Sequence, residues 1–300
     1  MSALGQELVV EETTPDSFKN VDIAFISVSS SISKEMAPHA VERGALIIDD
    51  SSAFRMLPDV PLVVPEVNGQ DVEGHRGIIS IPNCSTTPLT MVLYPLHRVN
   101  PVKRVVVDTY QSVSGAGSAA VDELRQQTMA LDKGQEVKAD ALPHQIAFNV
   151  VPQIGEFFSS GYSEEEEKMM AETKKILHDP SIAISATCVR VPVYTCHSEA
   201  VHLELENSID LNEARRLLSE MPGVTVVDGE EYPMPWELAG TDDVYVGRIR
   251  KDPSVANGLA MWVVSDNLRK GAALNALQIA EEVLKRDCLK VRSLSPSADG

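Results

Sequence analysis

GIISIPNCSTTPLTM, residues 77–91, contains the clearest change from strand to helix in the chain. The apolar run Ile78–Ile81 predicts a short buried strand, which stops at Pro82. The hydroxyl residues Ser85 to Thr87 predict the N-terminus of a helix, because they are capping residues and Pro88 is tolerated in a first helical turn. The stretch therefore predicts a strand-to-helix turn.

Cys84 lies in this turn. A cysteine at that place sits in the positive field of the helix N-terminus, among unpaired backbone N–H groups. Such a field lowers the pKa of a thiol and favours the reactive thiolate, so we predict that Cys84 is a nucleophile. The alternative is a buried structural cysteine, since free cysteine is among the most buried residue types.

The composition indicates a globular chain that is large enough for two domains. Of the 300 residues, 43% are hydrophobic and 23% are charged. No apolar run reaches the roughly 18 residues of a membrane helix. A net charge of −18 argues against nucleic acid as a partner, because binding a phosphate backbone needs a basic face. An anionic substrate must therefore meet a local cluster of arginine and lysine.

The four cysteines show neither CxxC pairing nor the density of a disulfide scaffold. We therefore expect a reducing compartment. The first residues lack the basic and apolar regions of a signal peptide and are too acidic for a transit peptide. We predict a cytoplasmic location, with the plastid stroma as the alternative if the source is a photosynthetic eukaryote.

The first part of the chain has the pattern of a parallel sheet. A strand over Val21–Val28, a helix from about Ser33 to Glu42 and a strand over Ala45–Asp49 form one βαβ unit. The loop Ser29–Ser31 would lie at the carboxyl edge of the sheet, where such folds bind ligands. Its serines either bind a phosphate or ribose or cap the helix.

The second part of the chain is richer in strands. Ile182–Val193 and His197–Glu206 alternate and are predicted to be antiparallel neighbours. Pro61–Val67 is predicted to be extended, Lys133–Phe148 to be a loop, and Asn267–Arg286 to be the last helix. The predicted fold class is α/β, with a parallel-sheet domain followed by an α+β domain that has a mixed or antiparallel sheet.

Polar side chains among these elements are candidates for a site. Arg190 lies in a hydrophobic strand, and its guanidinium needs a carboxylate partner from the protein or from a substrate. His197 is a candidate base, although a lone histidine is more often structural. Glu165 and Lys168 lie three residues apart on a helix that begins near Ser163, and a surface ion pair is the alternative to a functional role.

A metal site is the rival interpretation for four residues of this region. Their spacing fits no standard zinc pattern, and strand alternation would divide them between two faces, so we predict no metal. The residues are Cys188, Cys196, His197 and His202.

Several long motifs resemble the aspartate-β-semialdehyde dehydrogenase family, and they occur in the family's order over almost the whole chain. The motifs are DSSAFRM followed by VPLVVPEVN, IPNCSTTPL, DTYQSVSGAG, AETKKIL, CVRVPVYTCHSEA and SDNLRKGAALNA. The resemblance implies a Rossmann-like NADP-binding domain, residues 1–83 and 268–300, and a catalytic and dimerisation domain, residues 84–267. It implies a homodimer and an NADP-dependent, reversible conversion of aspartyl phosphate into aspartate semialdehyde, in lysine, threonine and methionine biosynthesis.

The resemblance also assigns roles to residues. Cys84 would be the nucleophile that forms a thioester, His197 the acid–base residue, and Gln111 the residue that orients the reacting group. The implied substrate-binding residues are Arg190 for the carboxylate, Glu165 for the amino group, and Arg55, Asn83 and Lys168 for phosphate. The implied cofactor-binding residues are Ser29, Ser114, Gly115 and Asn267.

One feature departs from the family pattern. The family begins with a strand and a glycine-rich turn that holds the cofactor pyrophosphate at a helix N-terminus, and this chain has no such motif. We therefore expect an incomplete cofactor domain that binds NADP weakly. Two alternatives follow: an inactive fragment that acts only as a dimerisation partner, and an enzyme of the sister family of N-acetyl-glutamyl-phosphate reductases.

Overall fold

The computed structural model of the chain describes residues 2–3, 5–7 and 9–289. The strands are β1 (Ser2–Ala3), β2 (Gln6–Glu7), β3 (Ile23–Ile26), β4 (Leu46–Asp49), β5 (Ile78–Ser80), β6 (Val102–Gln111), β7 (Ala183–Arg190), β8 (His197–Leu205), β9 (Val224–Val226), β10 (Val244–Asp252) and β11 (Gly258–Ser265). The helices are α1 (Ser30–Glu42), α2 (Pro65–Asn68), α3 (Thr86–His97), α4 (Ser118–Asp132), α5 (Glu164–Ile176), α6 (Leu211–Ser219), α7 (Pro235–Leu238) and α8 (Leu274–Lys285).

The first sheet is parallel and has the strand order β3-β4-β5. Its central strand, β4, is fully buried because helices cover both faces of the sheet. Ile47 packs with α1 on one face, whereas Leu46 and Ile48 pack with α8 on the other. A strand that is buried on both faces has a continuous apolar sequence, which explains the run Leu46–Ile48.

The second sheet is mixed and has the strand order β7-β6-β8-β11-β10-β9. Strand β6 runs parallel to β7 and antiparallel to β8. Helices α3, α5 and α6 contribute residues such as Leu89, Met169 and Leu218 to the large apolar core that also includes Val107 and Val201 of the sheet. The predicted fold class, α/β with a parallel sheet and a second mixed sheet, is confirmed.

The predicted pairing of β7 with β8 is wrong. Strand β6 lies between them, so that Gln111 pairs with Arg190 of β7 and Tyr110 pairs with Ser198 of β8. The two strands are adjacent in the sequence, but each pairs with β6, which comes much earlier in the chain, and β8 also pairs with β11. This pairing brings the ends of β6 and β7 and the beginning of β8 to one edge of the sheet.

Two other segments differ from the predictions. The segment predicted to be extended contains the short helix α2, and its Leu62 forms a parallel bridge with Ser80. The last helix begins as a π-helical turn, Arg269–Ala273, and becomes α8 only at Leu274. The structure confirms that residues 133–148 contain neither helix nor strand.

Within the described residues, no helix has both the length and the apolar character needed to cross a membrane.

Candidate active site

Cys84 lies where the chain leaves the parallel sheet and enters the second part of the molecule. Strand β5 ends at Ser80, and α3 begins two residues after Cys84. Asn83 caps this turn, because its Oδ1 accepts a hydrogen bond from the backbone N–H of Ser85 at 2.9 Å and its carbonyl accepts one from Thr87 at 3.1 Å. The predicted capping by the hydroxyl groups is therefore wrong: the Ser85 hydroxyl has no hydrogen-bond partner among the described residues.

The pKa of Cys84 moves in the opposite direction to the one predicted. Burial, together with the Glu165 carboxylate, raises the pKa of this thiol to about 12, whereas Arg190 and Arg55 act in the lowering direction. Desolvation and nearby negative charge therefore outweigh the two arginines. In this structure Cys84 is a protonated thiol at neutral pH.

A chain of hydrogen bonds beside Cys84 joins four predicted site residues. Glu165 Oε1, on α5, accepts from Asn83 Nδ2 at 2.8 Å and from Gln111 Nε2 at 3.2 Å. Gln111 Oε1 in turn lies 3.4 Å from Arg190 Nη1, which also donates to the Ser112 carbonyl at 2.8 Å. All four side chains are buried. The Gln111 amide thus lies between the Glu165 carboxylate and the Arg190 guanidinium.

His197 begins β8 and is almost completely buried. Its Nδ1 accepts a hydrogen bond from the backbone N–H of Ser112 at 3.1 Å. Its Nε2 has no hydrogen-bond partner among the described residues. Burial, together with the Arg190 guanidinium, lowers the pKa of His197 to about 3, so the ring is neutral at physiological pH.

Two glycines allow the backbone to approach these side chains closely. A Cβ atom on Gly115 would lie 2.9 Å from Arg190 Nη1 and 3.1 Å from His197 Nε2. A Cβ atom on Gly271, in the π-helical turn before α8, would lie 2.9 Å from the Cβ of Cys84. Real Cβ contacts are longer than this, so a larger residue at either position would displace the catalytic candidates.

The residues predicted to bind phosphate are less closely grouped. Arg55 Nη1 lies 3.1 Å from Glu172 Oε1, and its Nη2 donates to the Asp50 carbonyl at 2.8 Å. Lys168 pairs with Glu164 at 2.7 Å. The alternative of an ion pair between Glu165 and Lys168 is therefore wrong, because the Glu165 carboxylate faces the interior.

Three of the four residues predicted to bind the cofactor lie near a reacting group or a helix N-terminus. Ser29 is exposed after β3, and its hydroxyl caps α1 by accepting from Ile32 N at 3.5 Å. Ser114 and Gly115 follow β6 and lie close to His197. Asn267 is buried, and its amide oxygen is directed into the protein.

Sequence reasoning missed two residues that organise the site. Glu172, on α5, is 1% exposed and accepts from the Asn83 backbone N–H at 2.7 Å as well as from Arg55. Ser112 holds Nδ1 of His197. The spacing of Glu172, seven residues after Glu165 and thus on the same helical face, was a usable signal. Nothing in the local sequence distinguishes Ser112, because the contact uses its backbone.

The rival metal site has no geometric support among its four members. Cys188 Sγ contacts Met169 Sδ at 3.5 Å, and His202 pairs with Asp252 at 2.9 Å. Across residues 2–3, 5–7 and 9–289, no group of three or more histidine, cysteine or acidic residues could hold a metal ion. All four cysteines of the chain are free.

Comparisons with known proteins agree with this arrangement. Residues 1–75 match the family model described as "Semialdehyde dehydrogenase, NAD binding domain", and residues 93–270 match "Semialdehyde dehydrogenase, dimerisation domain". The fold and the site therefore define a dehydrogenase that has a nucleotide-binding domain, a dimerisation domain and a cysteine between them.

Comparison with individual relatives identifies the family within this class of dehydrogenases. The aspartate-semialdehyde dehydrogenases of Aquifex aeolicus and Bacillus subtilis are 52% and 49% identical to the chain, over 94% of its length and 85% and 84% of theirs. The crystal structure of aspartate semialdehyde dehydrogenase II from Vibrio cholerae, complexed with ASA, superimposes with a TM-score of 0.88 at 45% identity and covers 89% of this chain and 81% of that one. The chain belongs to the aspartate-semialdehyde dehydrogenase family.

Family membership confirms the predicted activity class, an NADP-dependent phosphorylating dehydrogenase of amino-acid biosynthesis. The match to a dimerisation domain confirms the predicted homodimer.

Proposed function

We propose that the chain converts aspartyl phosphate reversibly into aspartate semialdehyde through a thioester on Cys84. The observation that carries this proposal is the position of one free cysteine beside a buried acidic group, an amide, a guanidinium and a histidine with an unpaired Nε2. Each of these groups matches one part of a short amino acid whose side-chain carbonyl reacts.

The two charged groups fit the two charged groups on the α-carbon of the substrate. Arg190 binds the α-carboxylate, because a guanidinium is the side chain that holds a carboxylate with two parallel hydrogen bonds. Glu165 binds the α-ammonium group. Gln111 donates to Glu165 and contacts Arg190, so it keeps the two groups apart and orients the reacting carbon.

The chemical steps use Cys84 and His197. In the biosynthetic direction the Cys84 thiol releases its proton to solvent and the thiolate attacks the acyl carbon; the new C–S bond forms, the C–O bond to phosphate breaks, and phosphate leaves. NADPH, held near Ser114 and Gly115, would supply the hydride for reduction of this thioester. Negative charge then develops on the carbonyl oxygen, and His197, as the acid–base partner, faces that oxygen with Nε2. When the aldehyde carbonyl re-forms, the C–S bond breaks and Cys84 leaves as the thiolate.

We assign phosphate binding to Arg55, Asn83 and Lys168. Arg55 is held beside the Cys84 turn by Glu172, which also fixes the Asn83 backbone. Lys168, three residues after Glu165 on α5, adds a second positive charge. These local charges offset the net charge of −18 that the phosphate meets on approach.

The residues present fit the NADP that we assign to the first sheet. Ser29 lies at the carboxyl edge of a parallel sheet, and α1 directs its first backbone N–H groups to the same edge. Ser114 and Gly115 lie close to His197, and the absence of a side chain at Gly115 lets the backbone approach the site closely.

We also propose residues 1–83 and 268–300 as the NADP-binding domain and residues 84–267 as the catalytic and dimerisation domain. The packing of α8 on β4 and β5 supports the return of the chain to the first domain. The four free cysteines support a reducing location such as the cytoplasm.

The test is a rate assay with aspartate semialdehyde, phosphate and NADP. We expect activity in the wild type, a loss of roughly 10⁴-fold or more in Cys84→Ala, and wild-type activity in the control Cys288→Ala, which changes a cysteine at the end of α8. A wild type that is inactive but dimeric would support the fragment alternative. Preference for the N-acetyl-glutamyl substrate would support the sister family.

A further inference from the structure

Asn267 connects three residues around His197. It lies just after β11 and is 2% exposed. Its Oδ1 accepts from the backbone N–H of Cys196 at 3.0 Å, from Ser112 Oγ at 3.1 Å and from Ser114 Oγ at 3.2 Å. Its Nδ2 donates to Ser114 Oγ at 3.0 Å, so both the oxygen and the nitrogen of this amide form hydrogen bonds within the protein.

Cys196, the residue before His197, has a φ of +71°. Residues other than glycine rarely adopt this left-handed conformation, and it persists only where the surroundings hold it. The hydrogen bond to Asn267 is such a restraint. Because Cys196 sets the direction in which β8 begins, Asn267 controls where the His197 side chain points.

Ser112 controls the other side of the ring. Its backbone N–H can only donate, so Nδ1 of His197 must present a lone pair to it. A neutral imidazole carries one N–H, which places the proton on Nε2. Ser112 Oγ, at 3.1 Å from Nδ1, donates to Asn267 Oδ1, so Asn267 also fixes the residue that selects the tautomer.

The charged and titratable groups around the ring favour its neutral form. The Arg190 guanidinium on β7 faces it, and burial and this charge lower the pKa of His197 to about 3. Glu199 lies two residues further along the same face of β8, and burial raises its pKa, so this carboxyl is neutral too. The Arg190 guanidinium also interacts with the charges of Glu165 and Cys84.

We propose that Asn267 is a positioning residue that, through Cys196 and Ser112, holds His197 with its proton on Nε2, so that His197 acts as a fixed hydrogen-bond donor to the reacting oxygen. This inference rests on the proposed function for the identity of that oxygen. The reaction balances with such a donor. The thiolate adds to or leaves from the carbonyl carbon, the alkoxide forms or collapses, and no net proton reaches the ring.

The first experiment reads the tautomer directly. Two-bond ¹H–¹⁵N spectra of histidine-labelled protein distinguish the two nitrogens, and comparison with His197→Asn identifies the signals of His197 among the seven histidines. We expect Nε2–H and no titration between pH 5 and 8. A proton on Nδ1, or a charged ring in this range, would overturn the proposal. This result does not depend on turnover, so an inactive wild type would contradict only the proposed function.

The second experiment separates positioning from cofactor binding. In Asn267→Ala we expect kcat to fall by about 10–100-fold, as for a misplaced catalytic group, with the Kd for NADP unchanged. Asn267→Asp keeps an acceptor oxygen and should recover much of kcat. The matched control is Asn100→Ala, because Asn100 also bridges two backbone groups, those of Asn207, outside the site. Weaker NADP binding with unchanged kcat in Asn267→Ala would refute the positioning role, and if that variant does not fold, the wild-type spectrum still decides the tautomer.

Discussion

At Cys84, a neighbouring carboxylate and burial act together against ionisation. The pKa of about 12 means that the thiolate is scarce at neutral pH and increases about tenfold for each pH unit. The α-ammonium group of the substrate, paired with Glu165, would offset the charge that raises this pKa. The α-carboxylate of the substrate, paired with Arg190, would offset the guanidinium that lowers this pKa, so the two substrate charges act in opposite directions.

Glu165→Gln tests this electrostatic link. Removing the negative charge should lower the pKa of Cys84, so that alkylation of Cys84 by iodoacetamide at pH 8 becomes faster, on the order of tenfold. The same variant should bind the amino substrate more weakly. Mass spectrometry of the peptide that contains Cys84 gives the rate. Glu164→Gln, on the preceding and half-exposed residue, is the control, and an equal rate in the two variants would contradict the role of Glu165.

Glu199 is a second buried acidic residue, and its pKa affects the stability of the fold. Neither of its oxygens has a hydrogen-bond partner among the described residues, and burial raises its pKa well above 4.5. The folded protein therefore retains a proton that the unfolded chain releases, so stability falls as the pH rises above the unfolded value.

In Glu199→Gln this loss should disappear. The free energy of unfolding of the variant, relative to the wild type, should rise by up to about 1.4 kcal/mol for each pH unit above pH 4.5. Urea denaturation at pH 5 and pH 8 measures the difference, with Glu204→Gln on the same strand as the control. A difference that does not change between the two pH values would show that Glu199 is ionised in the fold.

At the scale of elements, the C-terminal end of α5 holds the loop that carries Arg55. Lys175 Nζ donates to the carbonyls of Arg55 at 2.6 Å, Leu57 at 2.8 Å and Val60 at 2.9 Å. One ammonium group with three donors thus satisfies three backbone acceptors that belong to neither helix nor strand.

Lys175→Met should loosen this loop. Because three acceptors lose a charged donor, we expect the protein to lose about 1–3 kcal/mol of stability, and the KM for phosphate to rise while the KM for aspartate semialdehyde changes little. Hydrogen exchange of residues 53–60 should become faster. Lys174→Met in the same turn is the control. Identical exchange rates in both variants would contradict the role of Lys175 in holding this loop.

A structural feature could be predicted from the sequence when the residues that form it lie close together in the chain. The start of α5 near Ser163 and its acidic first turn are set by neighbouring residues, and the structure begins the helix at Glu164. The pairing of β6 with β7 and β8 depends on contacts between residues about 80 positions apart, and local alternation contains no information about it. The prediction of two neighbouring strands failed for that reason.

The same limit applies to the site. Cys84 and its turn could be recognised because strand, proline and helix signals lie within 15 residues. Its raised pKa could not, since the carboxylate that raises it comes from Glu165, 81 residues later. The contact between Gly271 and Cys84 could likewise not be predicted, because the two residues are far apart in the sequence and meet only in the folded chain.

At the scale of the molecule, a buried ion pair connects the turn before α8, where the chain returns to the first sheet, with the rest of the fold. Lys270, 1% exposed, lies in the π-helical turn before α8, and its Nζ is 2.6 Å from Glu66 Oε2 on α2 and 2.6 Å from Gln278 Oε1 on α8. The next residue, Gly271, is the one that approaches Cys84. The ion pair therefore fixes the first sheet, the turn and the nucleophile relative to one another.

Lys270→Met should lower the free energy of unfolding by about 3–5 kcal/mol, because it leaves the Glu66 carboxylate buried without its partner. Lys270→Met combined with Glu66→Gln should recover most of that loss, since the buried charge is then gone, whereas kcat should stay low because the turn beside Cys84 is no longer held. The surface pair of Arg216 with Glu213 is the control: Arg216→Met should cost less than about 1 kcal/mol. Denaturant unfolding of the three variants and the wild type gives the energies. Equal losses in Lys270→Met and Arg216→Met would show that the buried pair does not link the two parts of the molecule.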